Sequence, residues 1–165
     1  MTKRPTLISF IAYISIIAGI ASFLGIFFMG FSTQEPISNK LLLLDLIYSI
    51  LFMSTGYYLL KDRILGWQLG LFNQLLSVTK CYGALVYIFI NISRIDFDTN
   101  HIGEYLFRYA INALISMGLV YYFLNLKTLN FFKIDGKIKI LTLQYAILLS
   151  FVFISIQIVT HTISL

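Results

Sequence analysis

Five long apolar runs separated by short polar breaks organise this chain. Leu7 to Phe31 and Ile140 to Ile163 carry no charge, Leu41 to Leu60 is interrupted by Asp45, Ile64 to Ile92 by Lys80, and Tyr105 to Leu124 by Arg108. Each run has 20 residues or more, enough for a helix to cross a hydrocarbon layer about 30 Å thick. Every backbone polar group in lipid must be satisfied within its own segment, so each run is expected to be helical. The pattern predicts an all-α fold, a polytopic membrane helix bundle of five transmembrane helices in one domain over residues 1–165. The spans are about 7–31, 41–60, 64–92, 105–124 and 140–163. Two alternatives accompany this expectation. Lys3 and Arg4 could make the first run a signal peptide cleaved near Gly30 and Ser32, although it is longer than the usual apolar core. The fifth run could be re-entrant, leaving four spans, although no Gly or Pro breaks it.

Charge orients the expected bundle. Lys3, Arg4, Lys61, Arg63, Lys127, Lys133, Lys137 and Lys139 fall on one side of five spans, and only Lys40 and Arg94 on the other, with Glu35, Asp96, Asp98 and Glu104. The basic excess marks the cytoplasmic side, so the N-terminus is expected inside and the C-terminus outside. Tyr57, Tyr58, Trp67, Tyr121 and Tyr122 then land near the inner boundary as an aromatic belt. Pro5 and Pro36 lie outside the runs, as helix boundaries require. Between the fourth and fifth runs, Leu129, Phe131, Phe132 and Ile134 alternate with lysines, which suits a stretch lying on the inner leaflet.

Composition agrees with a lipid environment. The chain is 59% hydrophobic and 12% charged, against about 45–50% and about 25% for a soluble domain. The net charge of +5 sits at helix ends, so it speaks for membrane orientation and against nucleic acid. The single Cys81 excludes an internal disulfide and reads as a small packing residue. The wealth of Ile, Lys, Asn, Phe and Tyr has the flavour of an AT-rich, bacterial genome.

Charges inside lipid are costly, so Asp45, Lys80 and Arg108 are the first candidates for function. By helical rise Asp45 and Arg108 lie about 5–6 Å below the outer ends of their helices, and Lys80 about 15–18 Å. Glu104, Arg108 and Asn112 recur every four residues on one helix face. Gly66, Gly70, Asn73, Ser77, Lys80 and Ala84 form a small, polar stripe that should turn toward other helices, with Gln74 and Cys81 beside it. Ala12, Ser15, Gly19 and Ser22 form a small-residue seam on the first helix, and Gln157 and His161 are four apart on the last. The candidate binding cluster is therefore Asp45, Asn73, Lys80, Glu104, Arg108 and Asn112, a polar chamber in the outer half. The bland alternative is that these side chains glue helices together and snorkel to the surface.

No catalytic signature stands out. There is no HExxH, GxSxG, P-loop or CxxC, and the histidines are His101 and His161. Asp96, Asp98 and Asn100 match the start of an EF-hand loop, but His101 stands where the turn needs Gly and Phe107 where the bidentate Glu belongs. A hydrated acidic turn capping the fourth helix is the simpler reading. Asn91-Ile92-Ser93 is a glycosylation triplet too close to the membrane to use. No cofactor and no metal are expected.

One stretch carries a resemblance. Gly56-Tyr57-Tyr58-Leu59-Leu60, Lys61-Asp62-Arg63 and Gly66-Trp67 resemble a pattern in small uncharacterised bacterial multi-pass inner-membrane proteins: G-x-x-L-L, a basic turn, then G-W. Arg4-Pro5, Gly19 and Tyr121-Tyr122-Phe123-Leu124 are similar to the same proteins. The resemblance covers the first four helices, brings no activity with it, and the fifth helix departs from it. The expected function is non-enzymatic interaction in the membrane, as an accessory subunit or an immunity-type protein. The partners would be the lipid bilayer and another membrane protein or a second copy. A small oligomeric transporter or channel using Lys80, Asp45 and Arg108 is the alternative, and an intramembrane enzyme the third.

Overall fold

The computed structural model describes residues 4–32, 39–91 and 99–162, with side chains described except at 27, 29–32, 39–45, 87–91, 99–102, 105 and 156–162. Among the described residues there are six helices and no strand: α1 Thr6–Ser32, α2 Asn39–Leu60, α3 Ile64–Asn91, α4 Thr99–Leu124, α5 Leu126–Phe131 and α6 Gly136–Thr162. Three stretches, Thr6–Ile26 of α1, Leu106–Leu124 of α4 and Gly136–Ser155 of α6, are long and apolar enough to cross a membrane, with mean hydropathies of 2.3, 1.3 and 1.9. α3 is longer, at 28 residues, but its polar stripe lowers its hydropathy. In α2 the apolar stretch that can be measured is Leu46–Leu60.

Local chemistry moves two helix starts from their expected places. α4 begins at Thr99 instead of Tyr105, which draws Asn100 and Glu104 of the acidic turn into helix. Asp96 and Asp98 lie outside the described residues. α6 begins at Gly136 instead of Ile140. There the Asp135 carboxylate Oδ1 accepts from the Ile138 amide at 2.7 Å, satisfying one of the amides a helix start leaves orphaned.

The turns at one end of the molecule close by the same device. After α2, the Arg63 amide donates to Tyr58 O and the Asp62 amide to Leu59 O, with Asp62 left-handed at φ 52°. After α5, the Ile134 amide donates to Leu129 O and the Lys133 amide to Asn130 O, with Lys133 at φ 56°. Both are Schellman motifs, in which glycine is the usual left-handed residue. Asp62 has a reason to be there. Its carboxylate accepts from Arg4 Nε at 2.6 Å and from Nη2 at 2.9 Å, while Nη2 also donates to Leu60 O at 2.6 Å. The hydrogen bond to Asp62 first, and its charge after, outweigh partial desolvation and raise the Arg4 pKa above its ordinary value. A raised arginine adds stability that is complete below its unfolded pKa and lost only above it, so this clamp is blind to pH in the physiological range. Lys133 makes no such contact among those described. Lys133→Gly is expected to raise the unfolding midpoint in detergent by the equivalent of about 1 kcal/mol, the left-handed penalty removed. Asp62→Gly should gain the same relief and lose the Arg4 clamp, so its midpoint should fall below that of Lys133→Gly.

Packing runs outward from α3, which touches α2, α4 and α6, while α1 packs on α2. The stripe of α3 divides in two by heptads. Gly66, Asn73 and Lys80 face α2: a Cβ at Gly66 would meet the Leu59 amide, Asn73 Nδ2 donates to Thr55 Oγ1 at 2.7 Å, and Lys80 reaches Tyr48. Gly70 and Ser77 face α4: a Cβ at Gly70 would lie 2.7 Å from Phe123 Cζ, and Ser116 Oγ bonds Ser77 Oγ at 2.9 Å. The seam of α1 also packs as its spacing implies. Ala12, Ser15 and Gly19 are buried against α2 around Ser49, Met53 and Gly56, while Ser22 is exposed. α6 runs parallel to α3, since Gln68 Nε2 donates to Thr142 Oγ1 and Lys80, twelve residues on, meets Phe153.

The main apolar cluster unites Ile8, Leu59, Trp67, Phe123, Leu129 and Phe132, so the chain before α1, the α2–α3 turn and the α4–α6 connection meet at one end. That end bears Arg4, Lys61, Arg63, Lys127, Lys133, Lys137 and Lys139 against Asp62 and Asp135. Two expectations change here. Trp67 is 0% exposed and donates Nε1 to Phe123 O at 2.8 Å, so it occupies one of the carbonyls α4 leaves unpaired at its end instead of joining a surface belt. Tyr57 and Tyr121 are the exposed members of that belt. Leu129 and Phe132 of the basic connection are buried in the bundle instead of resting apolar side down on lipid, because the short α5 turns them under α3 and α4. Large apolar side chains on the outer faces of α1, α4 and α6, among them Phe10, Ile17, Leu114, Leu148 and Phe151, are exposed. Faces of this kind suit a hydrocarbon solvent.

Candidate functional site

Lys80 sits 16 residues into α3, about 24 Å from the basic end by helical rise. Its ammonium lies 3.6 Å from the centroid of the Tyr48 ring on α2 and 5.9 Å from that of Phe153 on α6. The two rings meet edge to face, with centroids 4.8 Å apart. Three helices are thus tied by one cation and two aromatic faces. A ring face attracts a cation by about 0.5–1 kcal/mol at exposed sites and by about 2 kcal/mol or more where the cation is desolvated. Tyr48→Leu is expected to lower the unfolding midpoint more than Phe153→Leu. Both break the ring pair, but only the first removes the nearer face from the ammonium. Equal losses would show that the cation contributes nothing.

Two turns toward the basic end, Asn73 is buried between α2 and α3. Its Nδ2 is bonded to Thr55, whose hydroxyl passes the chain on to Leu51 O at 2.8 Å. Asn73 Oδ1 has no hydrogen-bond partner among the described residues. The other candidates stand apart. Arg108 and Asn112 are exposed on α4, and Glu104 is exposed near its start. α4 packs on the Trp67, Gly70 and Ser77 face of α3, not on the face that meets α6. The side chains of Asp45, His101, Gln157 and His161 lie outside those described. Asn73 and Lys80 therefore share the α2–α3 contact, and Arg108 and Asn112 of α4 are exposed away from it. Cys81 is buried, as its apolar setting implied.

A groove opens beside this contact. α2 and α6 meet at the Tyr48–Phe153 pair, and toward the basic end they part. The cavity left between them is about 520 Å³ and is lined by Leu51 of α2, Gln68, Leu69 and Phe72 of α3, and Ile138, Leu141, Thr142, Tyr145, Ala146 and Leu149 of α6. The α6 residues recur at three and four, so they form one stripe along a single helix face. The stripe runs from the first turn of α6 to one turn short of Phe153. The Tyr48–Phe153 pair lies about one turn beyond the far end of this lining, and the near end reaches the basic surface. Gln68 and Thr142 bridge its floor at 3.2 Å. Sequence reasoning missed Tyr48, Phe153 and the groove. Gln68 and Thr142, one polar residue at the same depth on each of two helices, were the trace available. Leucines such as Leu51 and Leu141 carry nothing that separates a groove wall from a lipid face.

The fold and site define a helical protein with membrane-span candidates and a lateral, mostly apolar groove. Comparison with protein-family models, with curated proteins and with solved structures finds no match.

Proposed function

We propose that this chain is a five-span membrane protein, with its N-terminus and basic end in the cytoplasm and its C-terminus outside, that acts by binding within the bilayer and not by chemistry. The observation that carries the reading is the groove between α2, α3 and α6. The lysine bias of one end supports the orientation. Parallel α3 and α6, joined through α4, support three crossings in that part of the chain. The bound group enters sideways from the lipid. The lining runs over 12 residues of α6, Ile138 to Leu149, about 17 Å. The groove is open along one side, and its walls are almost wholly apolar. Such a slot suits an extended hydrocarbon chain laid along α6. An accessory role, in which the chain holds a lipid-like group for a complex, follows more directly than a pore. A transport path past Lys80 would have to cross the ring pair that closes on it.

A tryptophan placed in the groove tests this. In a Trp67→Phe background, Phe72→Trp should be quenched by lipids brominated on the acyl chain at far lower lipid fraction than Leu114→Trp on the exposed face of α4. Identical quenching curves would contradict the reading.

A further inference from the structure

The groove has two unlike ends, and their difference identifies what enters it. At the far end the lining stops at Leu149 of α6 and Leu51 of α2, and the Tyr48–Phe153 ring pair stands about one turn beyond it. At the near end the lining stops at Ile138 of α6 and Gln68 of α3. Lys137 and Lys139 flank Ile138 in the first turn of α6, and on the helical wheel they fall on either side of the groove stripe. Lys137 is exposed and Lys139 is half-buried. The acids nearby are already engaged: Asp62 is held by Arg4 and Asp135 caps α6. The mouth therefore presents positive charge at the level where lipid headgroups lie, with an apolar slot leading inward from it.

We infer that the groove holds one acyl chain of an anionic phospholipid from the cytoplasmic leaflet, with its phosphate at Lys137 and Lys139. The inference rests on the groove reading above and adds the headgroup to it. Charge complementarity excludes a zwitterionic lipid as the preferred occupant. A basic residue near an anionic headgroup contributes about fivefold in affinity, so two of them should distinguish phosphatidylglycerol from phosphatidylcholine by more than tenfold. An uncharged sterol or hydrocarbon would ignore the mouth.

The test is native mass spectrometry of the purified full chain, delipidated and returned to equal amounts of phosphatidylglycerol and phosphatidylcholine. The wild type should retain phosphatidylglycerol at least tenfold over phosphatidylcholine. Lys137→Gln and Lys139→Gln together should bring the two lipids level while a lipid is still retained. Leu141→Trp and, separately, Leu149→Trp fill the slot from positions 41% and 51% exposed, where the larger ring has room toward lipid. Both should abolish retention with the unfolding midpoint kept. If the wild type retains both lipids equally and the tryptophan variants retain neither, the headgroup assignment is wrong and the groove reading stands. If the tryptophan variants retain lipid like the wild type, both are wrong.

Discussion

Gly56→Leu is expected to part α1 from α2. At Gly56 a Cβ would run into the Ala12 carbonyl oxygen and Ile16 Cγ1. The carbonyl is helix backbone and cannot turn aside, so the helices must separate. The opposite contact fails with it, because at Gly19 a Cβ would lie 2.8 Å from the Ser49 carbonyl and 2.6 Å from Met53 Cγ. Two reciprocal small residues thus set one close approach, and apolar bulk forced into a filled contact costs about 1–3 kcal/mol even where side chains can yield. Between membrane helices, dispersion and close fit provide most of the association energy, so the loss at a backbone contact should reach about 3 kcal/mol or more. The readout is the unfolding midpoint in detergent, together with protease access near the α1–α2 contact. Gly118→Leu is the matched control: nothing lies within 4 Å of a Cβ there, and its midpoint should not fall. Equal behaviour of the two variants would mean that α1 does not pack on α2 through Gly56.

Trp67→Ala should be the second large loss. Trp67 is 0% exposed and sits in one cluster with Ile8, Leu59, Leu71 and Phe123, so it joins α1, α2, α3 and α4 where the polar turns converge. Truncating a large buried aromatic costs about 3–5 kcal/mol. Trp67→Phe separates packing from polarity, for it keeps a ring and removes the Nε1 bond to Phe123 O. Its expected cost is near 1 kcal/mol, that of one hydrogen bond with its acceptor left buried. Melting of the purified protein should therefore rank wild type above Trp67→Phe, and Trp67→Phe well above Trp67→Ala. A Phe variant as unstable as the Ala variant would assign the whole effect to the hydrogen bond.

Much of this architecture was legible because helix packing in lipid leaves marks at fixed spacing. The α1 seam of Ala12, Ser15 and Gly19 and the α3 stripe from Gly66 to Lys80 pointed at neighbouring helices, and they do face them. What sequence could not tell was which neighbour. Positions seven apart on α3 go to the same helix, so Gly66, Asn73 and Lys80 serve α2 while Gly70 and Ser77 serve α4. The grouping of Arg108 with Lys80 rested on depth and on one polar stripe per helix, and neither says which neighbour a stripe faces: Arg108 is exposed on α4 while Lys80 points between α2 and α6. Trp67 was assigned to a surface belt from its height in the membrane, yet its indole is buried because α4 ends beside it with a carbonyl to satisfy. The groove was illegible for a different reason. It is made of side chains that do not meet, and a gap has no residue type.

The orientation of the basic end is the claim on which both the five-span reading and the lipid assignment depend. Lys133→Cys, in a background where Cys81 is replaced by serine, puts one exposed thiol in the α5–α6 turn. Cells producing this variant should leave that thiol unlabelled by a membrane-impermeant maleimide until they are opened, and label it fully afterwards. Full labelling of Lys133→Cys in sealed cells would place the lysine-rich turns outside and contradict the account.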